Sequence, residues 1–214
     1  MQRLRLGAVV LTAALSFPMF VTAAPMIETN DAGDQIGSAM PVTTPNVDAI
    51  EGHVSSPVDA DLFRLQLTAG VLFTATAVDI GGMTDTQLFL FDSAGNGLVY
   101  NDDRGIIEFL SSISFTPAAS GHYLLGVSAI GFNPQDALGA FIYARDPFDP
   151  SAVFGPSGAG PLSAWAADGS GLTDAGAYRL ELSGAAAVPA PASAPLMAVA
   201  LLALGLARRT RSRI

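Results

Sequence analysis

Residues 59–130 carry an alternating pattern in which apolar side chains recur at every second position. Such alternation gives a strand one apolar face, whereas an amphipathic helix needs apolar residues three or four positions apart. No part of this stretch keeps helical spacing, and Gly or Asp stands at most of the breaks. The chain is therefore predicted to be all-β, a jelly-roll-like antiparallel β-sandwich whose domain spans residues 48–184.

Eight strands are predicted from this pattern: 49–54, 62–67, 72–78, 86–91, 98–100, 109–115, 122–130 and 177–182. In the fourth strand nearly every residue is apolar, which predicts a central strand covered on both faces. In the sixth strand, Phe109, Ile113 and Phe115 are expected to point inward. The pair Asn96-Gly97 predicts a tight hairpin turn between the fourth and fifth strands.

The charge of the chain is unevenly distributed. All ten basic residues are arginines, and six of them lie at the two extreme ends. Residues 25–187 hold the other four arginines and all nineteen acidic residues, a formal charge of −15. A field of this sign repels nucleic acid and attracts cations, so no nucleic-acid partner is expected. The chain has no cysteine, which excludes disulfides and thiolate metal sites.

Residues 1–24 have the three parts of a secretory signal peptide. Arg3 and Arg5 precede an apolar run over 6–21, and small residues follow it. This pattern predicts a signal helix with cleavage near Ala24, and hence an exported protein. Residues 25–47 form a polar lead-in without strand alternation, which is expected to be a linker or cap before the first strand.

Residues 185–214 are predicted to be a second sorting segment. An uncharged apolar stretch at about 190–207 predicts a short transmembrane helix, and an Arg-rich tail follows it. The motif at the start of this segment is Val188, Pro189, Ala190 and Pro191. The three-part layout resembles the PEP-CTERM sorting signal of Gram-negative bacteria that make extracellular polysaccharide, although Ala190 stands where that family usually carries Glu.

The PEP-CTERM resemblance implies a processing partner. An exosortase-type enzyme would recognise residues 188–191, cut near them, and release or attach the domain outside the cell. Before processing, the C-terminal helix would hold the protein in the membrane. A plain membrane anchor that is never cut is the alternative that the sequence leaves open.

Four motifs of the central stretch occur together in a fixed order. They are Asp-x-Asp before an aromatic strand, Leu-x-Leu-Phe-Asp with a Gly turn, Asn-Asp-Asp, and Ser-Gly-x-Tyr before alternating apolar residues. The matching residues are Asp59, Asp61, Phe63, Leu88, Leu90, Asp92, Asn101, Asp102, Asp103, Ser120, Gly121 and Tyr123. Together they resemble the bacterial pre-peptidase C-terminal domain, which implies a sandwich that acts as a binding or stabilising accessory.

Two clusters of oxygen ligands predict calcium as the cofactor, because hard cations prefer several carboxylate and amide oxygens at once. The first cluster contains Glu28, Asn30, Asp31, Asp59 and Asp61. By resemblance, related domains of secreted collagenases hold calcium in a similar way. The second cluster, at strand ends, contains Asp85, Asp92, Asn101, Asp102 and Asp103. The alternative for both is that the Asp residues cap turns by accepting backbone hydrogen bonds.

Residues 131–176 form a long insertion rich in Gly and Pro with scattered aromatic residues. These aromatics, with Trp165 as the candidate ligand-binding residue, could stack on sugar rings. The alternative is that they fix a long loop onto the sandwich. Loss of glycan binding on Trp165→Ala would favour the first of these predictions.

No catalytic constellation is predicted, and the chain is not expected to be an enzyme. Only His53 and His122 are available for a Ser-His-Asp triad, and both fall in predicted strands. The expected role is structural or adhesive, at the cell envelope, the cell surface or the extracellular matrix, in association with exopolysaccharide. A carbohydrate-binding module is the alternative. A polysaccharide-active enzyme is a third class, because nineteen acidic residues leave many pairs for glycosidase chemistry.

Overall fold

The computed structural model describes residues 23–144, 152–171 and 173–188. Within these ranges the chain forms strands, turns and bridges, and no helix. The strands are β1 (Ala24–Ile27), β2 (Met40–Pro41), β3 (Val47–Val54), β4 (Ala60–Leu67), β5 (Phe73–Val78), β6 (Thr86–Asp92), β7 (Gly97–Asn101), β8 (Ser112–Phe115), β9 (Gly121–Ala129), β10 (Phe132–Gln135), β11 (Ala164–Ala167), β12 (Gly176–Ser183) and β13 (Ala185–Ala186). All eight predicted strands are present, with their ends shifted by up to three residues.

Two mixed sheets pack together, which confirms the predicted β-sandwich. The first sheet has the strand order β1-β3-β12-β5-β8. The second has the order β13-β4-β9-β6-β7, with β2 also paired to β4. The prediction of purely antiparallel sheets is wrong, because β1 runs parallel to β3 and β2 runs parallel to β4.

The lead-in contributes strands to both sheets and is more than a linker. β1 has four residues and includes Pro25, and β2 has only two residues. Neither is long enough to show an alternating pattern. Both depend on pairing with strands that follow them in the chain, which is why the sequence pattern did not reveal them.

One hydrophobic core lies between the two sheets. The alternation predicted for β4 and β5 is confirmed, because one face of each strand is buried in this core: Phe63, Leu65, Leu67, Phe73, Ala75 and Ala77. On β8, Ile113 is buried as predicted, but Phe109 is 49% exposed. The inward orientation predicted for Phe109 is wrong, because the strand begins only at Ser112 and Phe109 lies in the loop before it.

A third layer covers the outer face of the six-stranded sheet. It is built by the insertion, in which β10 pairs with β11. The second core combines side chains of the sheet and of the insertion: Leu62, Phe89, Phe91, Tyr100, Leu124, Ile142, Tyr143 and Leu162. This layer explains why β6 is buried at nearly every position, as its continuous apolar sequence predicted.

Phe89 lies at the centre of this second core. Its ring stacks on Tyr100 with 4.9 Å between centroids, and it lies 5.7 Å from the ring of Tyr143. It also meets Trp165 in an edge contact at 5.3 Å. Stacked and edge contacts are favourable for aromatic rings, so Phe89 joins the sheet to the third layer at one point.

One carboxylate organises the loop that follows β10. Asp136 Oδ2 accepts a hydrogen bond from the N–H of Gly160, and Oδ1 accepts from the N–H groups of Ala140 and Leu138, each at 2.9 Å. These donors, Gly160 foremost, hold the pKa of Asp136 below its ordinary value. The insertion is therefore internally bonded and does not run over the sheet as a loose loop.

The predicted hairpin between the fourth and fifth strands is present between β6 and β7. Residues 93–96 connect the strands, and Gly95 takes the left-handed conformation with φ 89°. Asp92 Oδ1 accepts hydrogen bonds from the N–H groups of Ala94 and Asn96, and Oδ2 accepts one from the Asn96 side chain. The Asp92 carboxylate thus stabilises the turn over residues 93–96.

Phe89→Ala is expected to lower the free energy of unfolding by about 3–5 kcal/mol, because it removes the ring that joins the sheet to the third layer. Urea unfolding should be followed by far-UV circular dichroism and by the fluorescence of Trp165, which is the single tryptophan. Both transitions should shift together, since the three layers share buried contacts. Phe109→Ala is the control and should cost less than about 1 kcal/mol. A fluorescence transition that moves alone would contradict a single cooperative unit.

Candidate metal centre

Three carboxylates converge at the corner where the lead-in meets the start of β4. Glu28 directly follows β1, Asp31 lies in the turn after it, and Asp61 is the second residue of β4. One oxygen from each lies within 4.8 Å of the others. The strand pairing of β1 therefore brings residues that are about thirty positions apart into one group.

Glu28 ties the lead-in to β3. Its Oε1 accepts a hydrogen bond from the N–H of Ala32, and its Oε2 accepts one from the N–H of His53, both at 2.8 Å. Burial raises the pKa of Glu28 above its ordinary value, while the two backbone donors act in the opposite direction. The carboxylate is thus oriented by the backbone before any ion arrives.

Asp61 is the most deeply buried member of the group, with no exposed surface. Its Oδ2 accepts a hydrogen bond from the Tyr178 hydroxyl at 2.7 Å, whereas Oδ1 has no hydrogen-bond partner among the described residues. Burial raises the pKa of Asp61 to about 8, and the nearby carboxylates of Glu28 and Asp59 act in the same direction. A buried carboxylate of this kind requires a compensating partner.

The group fits a hard divalent cation. Carboxylate oxygens are the preferred ligands of calcium, and ligands of one calcium ion at about 2.3–2.6 Å lie within roughly 5 Å of one another. The unpartnered Oδ1 of Asp61 supplies a ligand that nothing else in the described part of the chain uses. Glu28, Asp31 and Asp61 are therefore the residues that could hold such an ion.

The two other residues predicted for the first cluster lie near this group. Asp59 Oδ2 accepts a hydrogen bond from the N–H of Ser55 at 2.6 Å, so Asp59 caps the turn before β4. Asn30 lines a groove of about 440 Å³ together with Glu28 and Asp31. The structure thus brings the carboxylates of Glu28, Asp31 and Asp61 together, and calcium binding by Asp59 and Asn30 stays a prediction.

Sequence reasoning missed two residues of this site. Tyr178, on β12 of the opposite sheet, reaches Asp61 across the core and is itself buried. Gly52 leaves room for the Tyr178 hydroxyl and the Glu28 carboxylate, because a Cβ at position 52 would collide with both groups. The sequence did contain one indication of this contact, because a glycine inside a strand, such as Gly52 in β3, often marks a position that other groups approach closely.

The second predicted cluster is present in altered form. Asp85, Asp102 and Asp103 each place one oxygen within 4.8 Å of the others. Asp92 is bound to its own turn, as described above. Asn101 accepts a hydrogen bond from a backbone N–H of β8 and donates two to backbone carbonyls, so it holds loops together. Calcium at this cluster stays a prediction.

Trp165 is half-buried within the third layer. Its indole N–H donates to the backbone carbonyl of Asp34 at 2.8 Å, and its ring stacks on Phe132 with centroids 6.1 Å apart. The edge contact with Phe89 fixes it further. These contacts favour the alternative in which the aromatics fix the insertion onto the sandwich.

Only the start of the predicted sorting motif falls within the described residues. β13 pairs with β4, and the N–H of Val188 donates to the carbonyl of Val42 at 2.7 Å. Pro189, Ala190, Pro191, the predicted transmembrane stretch 190–207 and nearly all of the signal peptide lie outside the described residues. Among the residues described, no helix is long and apolar enough to cross a membrane.

Comparison with known proteins supports the resemblance found in the central stretch. Residues 59–129 match the family model of the bacterial pre-peptidase C-terminal domain. The matched range runs from Asp59, before β4, to the end of β9, and such domains are typical of secreted bacterial proteins. It includes Asp61 but not Glu28 or Asp31. No curated protein matches the chain, and the comparisons give no support for a PEP-CTERM signal.

In EDTA, the free energy of unfolding is expected to fall as pH rises from about 4 to about 8. The folded chain keeps a proton on Asp61 up to about pH 8, whereas the unfolded chain releases it near 3.8, so the folded state binds more protons across this window. Urea unfolding at a series of pH values measures the slope. Asp61→Asn should flatten it, whereas Asp48→Asn, at an exposed position, should not. An equal slope in wild type and Asp61→Asn would contradict the raised pKa.

Proposed function

We propose that this chain is an exported β-sandwich protein with a structural or adhesive role in an extracellular polysaccharide matrix, stabilised by calcium at Glu28, Asp31 and Asp61. The observation that carries the calcium proposal is the buried Asp61 Oδ1 without a hydrogen-bond partner, next to two further carboxylates. The match to a domain typical of secreted bacterial proteins supports export. The site of action is the cell envelope, the cell surface or the extracellular space.

Calcium at this corner would connect three parts of the structure. Glu28 belongs to the lead-in and is bonded to β3 through His53. Asp61 belongs to the six-stranded sheet, and its partner Tyr178 belongs to the five-stranded sheet. One ion would therefore hold the lead-in and both sheets together, which suits a chain without disulfides that must persist outside the cell.

The described contacts do not favour an enzyme. A glycosidase acid needs a raised pKa and must reach the glycosidic oxygen of the substrate. Asp61 has the raised pKa but no exposed surface, so it cannot donate a proton to a polysaccharide. Asp61 therefore does not act as such an acid, and the role that we propose is non-enzymatic.

The described chain crosses from one sheet to the other shortly before the proposed sorting motif. Gly184, with φ 73°, lies between β12 of one sheet and β13 of the other, and a Cβ there would collide with the backbone of Leu72. β13 pairs with β4, and the N–H of Val188 donates to the carbonyl of Val42, directly after β2. In the proposal, an exosortase-type enzyme recognises residues 188–191, of which the structure describes Val188.

Calcium should raise the melting temperature of the purified domain and give a saturable heat in calorimetric titration. At one hundred times Kd, the ion adds about 2.7 kcal/mol to the free energy of unfolding. Asp31→Asn removes one proposed ligand at an exposed position and should weaken binding about tenfold or more. Asp48→Asn is the matched control and should bind as wild type does. Absence of both heat and thermal shift in wild type would refute the calcium proposal.

The mature protein recovered from its native host should lack residues at both ends. Mass spectrometry should find an N-terminus near Ala24 and a C-terminus near residues 188–191, in protein isolated from outside the cytoplasm. An N-terminal cut with an intact C-terminus in the membrane fraction would support the plain anchor instead. Full-length chain in the cytosol would contradict export altogether.

A further inference from the structure

The third layer contains a groove that the calcium site does not use. Its volume is about 280 Å³, close to the small end of ligand pockets at ~300–1,000 Å³. The residues that line it come from β10, from the chain between β10 and β11, and from the end of β11: Asn133, Phe141, Tyr143, Ala144, Ser157 and Asp168. This set combines a carboxylate, an amide and a hydroxyl with two aromatic rings.

A chain of hydrogen bonds orients the polar side of the groove. Gln87, fully buried on β6, donates from Nε2 to Asn133 Oδ1 at 3.4 Å. Asn133 Nδ2 then donates to Asp168 Oδ2 at 3.0 Å. Asp168 Oδ1 accepts from the N–H of Ser170 at 2.8 Å, which fixes the carboxylate from a second side. Asp168 stays exposed, and each of its oxygens keeps capacity for a further hydrogen bond.

On the aromatic side of the groove, hydrogen bonds hold the backbone of Phe141 and the hydroxyl of Tyr143. The backbone carbonyl of Phe141 accepts a hydrogen bond from Ser157 Oγ at 2.7 Å, and Phe141 pairs with Gln135 in an isolated bridge. Its ring remains half-exposed. Tyr143 is buried behind it, with its hydroxyl bonded to the backbone of β6 and β7. Asn133, Asp168 and Tyr143 are therefore already oriented, which lowers the ordering cost of binding in this groove.

We propose that this groove binds one neutral sugar unit of a polysaccharide. A sugar ring has an apolar C–H face that stacks on an aromatic ring and a row of hydroxyls that bond to an oriented carboxylate and amide. An anionic sugar is disfavoured by Asp168 and by the charge of −15 over residues 25–187. The small volume limits the contact to a single ring.

This inference goes beyond the proposed calcium-stabilised export protein, since the two sites share no residue. A bound sugar unit would give the protein a defined contact with the polysaccharide matrix, as the proposed adhesive role requires. Failure of sugar binding would leave the calcium titration and the processing of the termini unaffected, so the two proposals can fail separately.

The test is a calorimetric or NMR titration of the full mature domain in calcium buffer. The probes are methyl glycosides of glucose, galactose, mannose and N-acetylglucosamine, with methyl glucuronide as the anionic comparison. At least one neutral glycoside should bind saturably, and the glucuronide should bind about tenfold more weakly or not at all. Asp168→Asn and Phe141→Ala should each weaken the binding about tenfold or more.

Two matched controls separate binding from folding. Asp79→Asn changes another exposed Asp whose Oδ1 accepts a hydrogen bond from an N–H two residues ahead, and Phe109→Ala changes another half-exposed ring. Both controls should bind as wild type does, and the melting temperature of Asp168→Asn should stay near the wild-type value. No saturable binding of any neutral glycoside, binding unchanged in Asp168→Asn, or tighter binding of the glucuronide would overturn the proposal.

Discussion

The buried carboxylate of Asp61 is the interaction on which this corner of the structure depends. Burying a charged oxygen is unfavourable unless hydrogen bonds or an opposite charge compensate it. Tyr178 compensates one oxygen of Asp61 from the opposite sheet, and Gly52 leaves room for that contact. The other oxygen has no hydrogen-bond partner among the described residues, and Glu28 and Asp31 complete a group of carboxylates whose charge a cation could neutralise. The buried side chain of Asp61 therefore contacts the opposite sheet through Tyr178 and lies next to the carboxylates of the lead-in.

The third layer covers the apolar outer face of the six-stranded sheet. A sheet that exposes Phe89, Phe91 and Tyr100 to water would be prone to association. The insertion covers these rings with its own aromatic and aliphatic residues. Because Asp136 and the β10–β11 pairing hold the insertion together, it can also present a defined groove on its surface. The same segment thus packs on the sheet and carries the proposed sugar-binding groove.

Sequence reasoning found part of the metal centre. Asp61 stood out because it precedes an aromatic strand in an Asp-x-Asp motif, and Glu28 and Asp31 because they are acidic residues of a polar lead-in. Their convergence required the parallel pairing of β1 with β3. The sequence does not predict this pairing, because β1 has only four residues and one of them is a proline. Asp92 and Asn101 were also predicted as ligands, and their oxygens accept backbone hydrogen bonds from the turn after β6 and from β8. Residue type cannot show whether an oxygen already has such a partner.

The sequence by itself determined the sandwich and the eight strands β3–β9 and β12, because alternation of apolar residues is a local property that each of these strands carries in its own residues. It also determined the acidic surface and the absence of disulfide cross-links. Tertiary structure alone decided that the sheets are mixed, that Trp165 packs against Phe89 of the six-stranded sheet, and that Tyr178 reaches Asp61. The contacts of these residues join positions up to 131 apart, the distance in sequence from Trp165 to Asp34. Such contacts produce no periodic pattern in the sequence, because they depend on how the strands pack together after they have formed.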